Sequence, residues 1–192
     1  GVYGNVEKLP VKEDSTLSPI SSYGASKLIP ENYIVFFSKA FGTNFTILRY
    51  ANVFGPRQNK TGEGGVVAIF STLFLEGKQP QIFGDGKKTR DYIFAKDVAK
   101  ANLLALEKGN NEILNISTNT ETKDIEVFDI IKKAADKAAE GISPKFVPVR
   151  PGEIIFSRLD NKKAEEILGW KPETNFQEGI KETVEYYRNS SI

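Results

Sequence analysis

Two periods run through the hydrophobic and polar positions of this chain. From Ser22 to Phe41 apolar residues recur at helical spacing, at Leu28, Val35, Phe36 and Ala40, and Gly42 follows as a stop. Pro30 falls inside that stretch. It cannot donate to the carbonyl of Ser26, which predicts a kink or a locally opened turn. The segment FTILRYANVFG, residues 45–55, alternates at first and is rich in β-formers, so it reads as one strand ending at Gly55-Pro56. GVVAIFSTLFLEG reads as a helix closed by Gly77, PQIFGDG as a short strand and turn, and RDYIF as another short strand. Asp97 is expected to cap the amphipathic helix VAKANLLALEKG, which Gly109 stops. EILNIS then reads as a strand, IEVFDIIKKAADKAAEG as a helix before Gly141, and KFVPV as a strand. NKKAEEILG and FQEGIKETVEYYRN are the last two helices. Strands alternating with helices predict an α/β chain with a largely parallel sheet and helical additions at the end.

Composition narrows the chemistry more than the fold. With 192 residues, 40% hydrophobic and 27% charged, the chain has the makings of a packed core and not of a disordered segment. No apolar run approaches the length of a bilayer, and no signal-peptide pattern opens the chain, so no membrane partner is expected. A net charge of +1 offers no basic surface for nucleic acid. The absence of cysteine leaves no disulfide framework and fits a cytoplasmic protein. Without histidine or cysteine there is no Ser-His-Asp or Cys-His nucleophile and no ordinary zinc site, so metal chemistry is not expected. Proton transfer near neutral pH then falls to Asp, Glu, Lys or Tyr with a shifted pKa. The chain opens on Gly1 in GVYG, which reads as mid-sequence and suggests a piece of a longer protein.

Candidate chemistry starts with two Tyr-x-x-x-Lys spacings, Tyr23 and Lys27 in SSYGASK and Tyr92 and Lys96 in DYIFAK. Spacing alone does not choose between them. The lysines are spread over the helices, whereas Arg49, Arg57, Arg90 and Arg150 lie at strand ends or in turns beside Gly or Pro. A planar guanidinium matches a phosphate with two parallel hydrogen bonds, so converging arginines would make a diphosphate clamp. The alternative is that each pairs with a nearby carboxylate. FGDGKKT lacks the third glycine and the following helix of a dinucleotide fingerprint. TGEGGVV does lead into a helix whose amides could face an anion.

Taken in order, VYG, SSYGASK, RYANVFGPRQ, FGDGKKTRDYIFAKDVA, NEILNIS, RPGE and LGWKP resemble the extended short-chain dehydrogenase/reductases, and among them most closely the UDP-glucose (UDP-galactose) 4-epimerases. The resemblance covers nearly the whole chain and implies the C-terminal part of an NAD(P)-binding, Rossmann-like doubly wound sheet plus a small α/β substrate domain. Residues 1–60 would carry the later part of the first with the Tyr-Lys helix. Residues 61–192 would be mainly the second, with 95–118 returning to the sheet. NAD is the implied cofactor and a UDP-sugar the implied substrate, epimerised at C4. The same resemblance assigns Tyr23 and Lys27 as the catalytic pair, with Tyr23, Lys27 and Tyr50 at the cofactor. It places Asn52 at the sugar nucleotide, Val66 and Gln81-Ile82-Phe83 around the uridine, Arg90 and Arg150 at the diphosphate, and Glu153 at the nucleotide ribose. The physical reading agrees with the catalytic pair. On a helix, positions i and i+4 share a face, and an ammonium beside a phenol favours phenolate. Tyr92 and Lys96 fall in the substrate-side segment, where the spacing is accidental.

Three positions depart from the family pattern: Ser22 where relatives often have proline, Phe94 where many have histidine, and Pro30 inside the helix. The family's glycine loop, its acidic ribose-binding residue and the Ser or Thr of the catalytic triad precede the VYG segment and are not in this chain. By itself the chain is therefore expected neither to hold NAD tightly nor to epimerise. A homodimer through the Tyr-Lys helix is also implied. The alternatives are a nucleotide-sugar 4,6-dehydratase or decarboxylase of the same family, and a non-catalytic nucleotide-binding protein on the same fold.

Overall fold

The structure, a computed structural model, describes residues 1–60, 64–150 and 152–190. The TGEGGVV stretch and the RPGE motif each lie partly outside the described residues. In chain order the elements are α1 (Ser22–Phe41), β1 (Thr46–Tyr50), β2 (Asn52–Phe54), α2 (Val66–Leu75), β3 (Gln81–Phe83), β4 (Thr89–Arg90) and β5 (Tyr92–Phe94). They continue with α3 (Ala95–Ala105), β6 (Glu112–Ile116), β7 (Thr122–Lys123), α4 (Asp124–Ala135), β8 (Lys145–Val147), α5 (Lys162–Leu168) and α6 (Phe176–Ser190).

The expected single strand over 45–55 is two strands because the chain changes neighbour. β1 runs parallel to β6, from Thr46 opposite Glu112 to Tyr50 opposite Ile116. The Ala51 N–H still donates to the Ile116 carbonyl, but the Asn52 N–H donates to that of Asp91, and β2 then runs parallel to β5. β3 pairs parallel with β8, and β4 pairs antiparallel with β7. The parallel α/β character read from the sequence is therefore present.

Helix boundaries follow local chemistry. The Ser21 hydroxyl accepts the Gly24 N–H at 3.1 Å and starts α1, while Gly42, at φ 68°, ends it with its N–H on the Ser38 carbonyl. The helix is continuous through Pro30. The next residue, Glu31, is anchored to the body of the protein and holds the second half of α1 in line. Asp97 is not a cap. β5 runs directly into α3 with Phe94 at the cap position, so Asp97 lies buried in the first turn, where Oδ2 accepts the Thr174 N–H at 3.0 Å. The helix expected over 125–140 ends at Ala135, with Asp136 at φ 55° leading into a short 3₁₀ turn over 136–139.

Apolar residues collect in three places. Phe54, Phe70, Phe74, Phe94 and Phe128 form the core among α2, α4 and α6. Ile93, Leu114, Ile116, Leu168 and Trp170 seal β1 and β6 against α3 and α5. Val2, Tyr3, Val11 and Leu159 form a smaller cluster beneath the start of the chain. Among the described residues no helix is long and apolar enough to cross a membrane.

Candidate active site

The head of α1 places Tyr23 in its first turn, where the residue is 58% exposed and the Lys27 ammonium lies 5.2 Å from the ring centroid. Gly24 makes this possible. A Cβ there would stand 2.6 Å from the Gly1 carbonyl oxygen and 3.0 Å from the Pro19 side chain, so only glycine lets the helix head approach so closely. Gly1 in turn abuts the Tyr23 ring, since a Cβ on it would stand 3.6 Å from two ring atoms. One turn beyond Lys27, on the same stripe of the helix, Glu31 is buried and accepts three hydrogen bonds from Arg49, at 2.6, 3.0 and 3.2 Å. Arg49 also donates to the Tyr3 hydroxyl at 2.8 Å, and Tyr3 donates to Asn115 Oδ1 at 2.7 Å. Arg49 thus leaves the proposed diphosphate clamp. It fixes the roll of α1 over β1 and with it the direction of Tyr23 and Lys27.

The second Tyr-Lys spacing does not form a pair. Tyr92 lies on β5, buried, stacked on Phe176 at 5.3 Å, and burial pushes its phenol far above the ordinary range. Lys96 lies on α3, where it pairs with Glu182 at 2.7 Å and sits 5.8 Å from the Phe94 ring centroid. A strand followed by a helix does not put residues four apart on one face.

The other expected site residues occupy strand ends and the loops between them. Tyr50 ends β1, and its hydroxyl donates to Asn102 Oδ1 at 2.8 Å. Asn52 is exposed at the start of β2. Val66 begins α2 and packs against the core. On β3, Ile82 is buried between the exposed Gln81 and the half-buried Phe83. The Arg150 guanidinium lies 3.8 Å from the Phe83 ring centroid, a cation–π contact that holds its plane. Arg90 donates to the Thr89 carbonyl at 2.8 Å. Among the described residues neither Arg90 nor Arg150 forms a direct ion pair, although the Arg90 charge acts on the Asp124 carboxylate. The Glu153 carboxylate receives the Lys88 ammonium at 2.5 Å.

A few contacts bring β4, the Arg150 loop and the approach to α1 toward one another. The Thr89 N–H donates to the Ile155 carbonyl at 3.0 Å, tying β4 to the loop that carries Arg150 and Glu153. A Cβ on Gly152 would stand 3.8 Å from the Ile20 carbonyl oxygen, so the same loop borders the approach to α1. Arg90 lies within electrostatic reach of Gly1, which abuts the Tyr23 ring. Arg57 belongs elsewhere, on a cavity of about 850 Å³ with Lys96, Lys181 and Tyr186. Nothing in its neighbours along the chain singles out Lys88, which reads as one more lysine in a polar turn. Glu31 could have been found from its spacing of four after Lys27.

Over 191 residues the chain is 41% identical to the UDP-glucose 4-epimerase of Mycolicibacterium smegmatis, covering 99% of this chain and 60% of that protein. It matches the crystal structure of Thermotoga maritima UDP-glucose 4-epimerase with UDP-glucose at a TM-score of 0.95 and 45% identity, over 99% of this chain and 61% of that one. It matches Thermus thermophilus UDP-glucose 4-epimerase in complex with NAD at 0.88 and 36% identity, over 98% and 61%. The chain therefore spans about three-fifths of the length of these relatives. Residues 1–183 match the family described as GDP-mannose 4,6 dehydratase. With the fold, the order of its motifs and these likenesses in agreement, the chain belongs to that family, the epimerase and dehydratase branch of the extended short-chain dehydrogenase/reductases.

Proposed function

We propose that this chain is the C-terminal portion of an NAD-dependent UDP-sugar 4-epimerase, and that the intact protein interconverts UDP-glucose and UDP-galactose in the cytoplasm. The observation that carries this reading is the state of Tyr23 and Lys27. They lie side by side, and neither the hydroxyl nor the ammonium has a hydrogen-bond or ion partner among the described residues. Polar heads left free next to one another suit groups that receive a ligand, and the three donors of Lys27 fit the hydroxyls of a nicotinamide ribose. NAD, when bound, supplies the acceptor and donor for the C4 hydride, so no second substrate is consumed.

The chain's own residues do the rest. Tyr23 takes the proton from the sugar 4-hydroxyl at its phenolic oxygen and returns it after the sugar has turned. Lys27, its ammonium 5.2 Å from the centre of the Tyr23 ring, sits on the same face of the helix to meet the ribose beside it. Arg90 and Arg150 hold the diphosphate, the second with its plane already set by Phe83. Glu153 accepts from the nucleotide ribose, Val66 and Gln81-Ile82-Phe83 line the uridine, Asn52 touches the sugar nucleotide, and Tyr50 lies beside the nicotinamide. Residues 1–60 and 95–118 serve the cofactor side and the remainder the substrate. A second copy joins through α1.

In the full-length protein Tyr23→Phe should cut turnover of UDP-galactose roughly 10²–10⁴-fold, the scale of a lost general base, while UDP binding stays close to wild type. Undiminished turnover would remove Tyr23 from the mechanism. Release of a 4-keto-6-deoxy sugar, the chemistry for which the family is named, would move the reading to a dehydratase.

A further inference from the structure

Lys88 has no part in the reaction just described, yet it is only 8% exposed. Its ammonium stands 2.5 Å from Glu153 Oε2 and 3.5 Å from Asp124 Oδ2. The backbone around it makes the same connections. The Asp124 N–H donates to the Lys88 carbonyl at 3.0 Å, the Ile125 N–H to that of Gly86 at 3.1 Å, and the Thr89 N–H to that of Ile155 at 3.0 Å. One buried lysine therefore joins three pieces of chain: the turn before β4, the head of α4, and the loop carrying Arg150 and Glu153. Burial raises the pKa of the Asp124 carboxyl, and the charges of Lys88 and then Arg90 oppose that rise.

The placement matters because of what flanks it. Arg90 follows Lys88 by two residues on β4, and Arg150 precedes Glu153 by three on the loop. With Oε2 of Glu153 held by the ammonium, Oε1 has no hydrogen bond among the described residues and remains to accept from a ligand. We infer that Lys88 is a positioning residue for the nucleotide: it sets Glu153 for a ribose hydroxyl and fixes the Arg150 loop against Arg90. This rests on the reading of Glu153, Arg90 and Arg150 as nucleotide contacts.

Calorimetric titration of the full-length protein with UDP and with 2′-deoxy-UDP tests it. Lys88→Met should weaken UDP about tenfold or more, the scale of a lost charged hydrogen bond, and should narrow the preference for UDP over the 2′-deoxy nucleotide. Because Lys88 acts through Glu153, adding Lys88→Met to Glu153→Gln should cost less than about twofold further, a coupling that a purely structural lysine would not show. If Lys88→Met does not fold, Lys88→Gln is judged by the same three values. Unchanged UDP affinity, an unchanged preference, or effects that simply multiply with Glu153→Gln would each overturn the proposal. Should Glu153→Gln and Arg90→Lys also leave UDP affinity intact, the nucleotide reading itself fails. If they weaken it while Lys88→Met does not, only the positioning role falls.

Discussion

The phenol of Tyr23 stands in solvent beside an ammonium, whereas that of Tyr92 is sealed under Phe54 and Phe176. Both tyrosines are followed by a lysine at the fourth position, so the difference comes from what each residue is built on. Tyr92→Phe should therefore leave proton transfer intact in the full-length protein, since the Tyr92 ring is packed in the core against Phe54 and Phe176 and apart from Lys96. The sharper test at this scale is Gly24→Ala. The added methyl would sit 2.6 Å from the Gly1 carbonyl oxygen, closer than real Cβ contacts come, and the Gly1 backbone and the Pro19 ring leave it no flexible neighbour to push. The head of α1 must then shift, and Tyr23 with it. Turnover should fall by at least about tenfold, a sub-ångström to ångström misplacement being enough for that. The melting temperature should fall as well. A Gly24→Ala enzyme with wild-type kinetics would show that the contact does not set the tyrosine.

Among the elements, α1 depends on a single buried connection. Of its twenty residues only Gly24 and Glu31 are buried, so the helix has little apolar packing to fix its roll. The Glu31–Arg49 pair, with side chains 10% and 6% exposed, supplies that instead. Removing one partner strands the other charge in the interior, so Glu31→Ala should cost about 3–5 kcal/mol in urea unfolding. Replacing both partners by apolar residues of similar volume should recover most of that loss. If Glu31→Ala and the double variant unfold at the same urea concentration, the pair is not an anchor. Much at this scale was legible beforehand. Gly42, Gly77, Gly109 and Gly141 mark helix ends or lie close after them, and the period-3.6 stretches became helices. What the sequence hid depends on neighbours far along the chain. The split at Ala51 reflects a change of strand partner from β6 to β5, and β7 exists because Thr122 lies opposite Arg90. Arg49 and Lys88 look in sequence like any other strand-end arginine and turn lysine, and their carboxylate partners lie 18 and 65 residues away.

For the molecule as a whole, the same helix that is so thinly anchored also carries its most exposed aromatic surface. Phe36 and Phe41 are 65% and 70% exposed, Phe37 stacks on Phe41 at 5.4 Å, and Tyr33 and Ile29 extend the patch toward the head of the helix. A monomer seldom leaves so much contiguous apolar area in water. Burying it against the same helix of a second copy would give a closed, two-fold arrangement in which each patch covers its twin. Such a contact would also stiffen α1, so the dimer and the placement of Tyr23 would be coupled. Phe36→Glu together with Phe41→Glu should then shift the full-length protein from dimer to monomer in sedimentation velocity and lower its turnover, although neither residue belongs to the proposed site. The charges should act through repulsion across the interface, so dissociation should ease as salt is lowered and reverse in part as it is raised. A wild-type protein that sediments as a monomer at every concentration, or a double variant that remains dimeric, would rule out α1 as the joining surface.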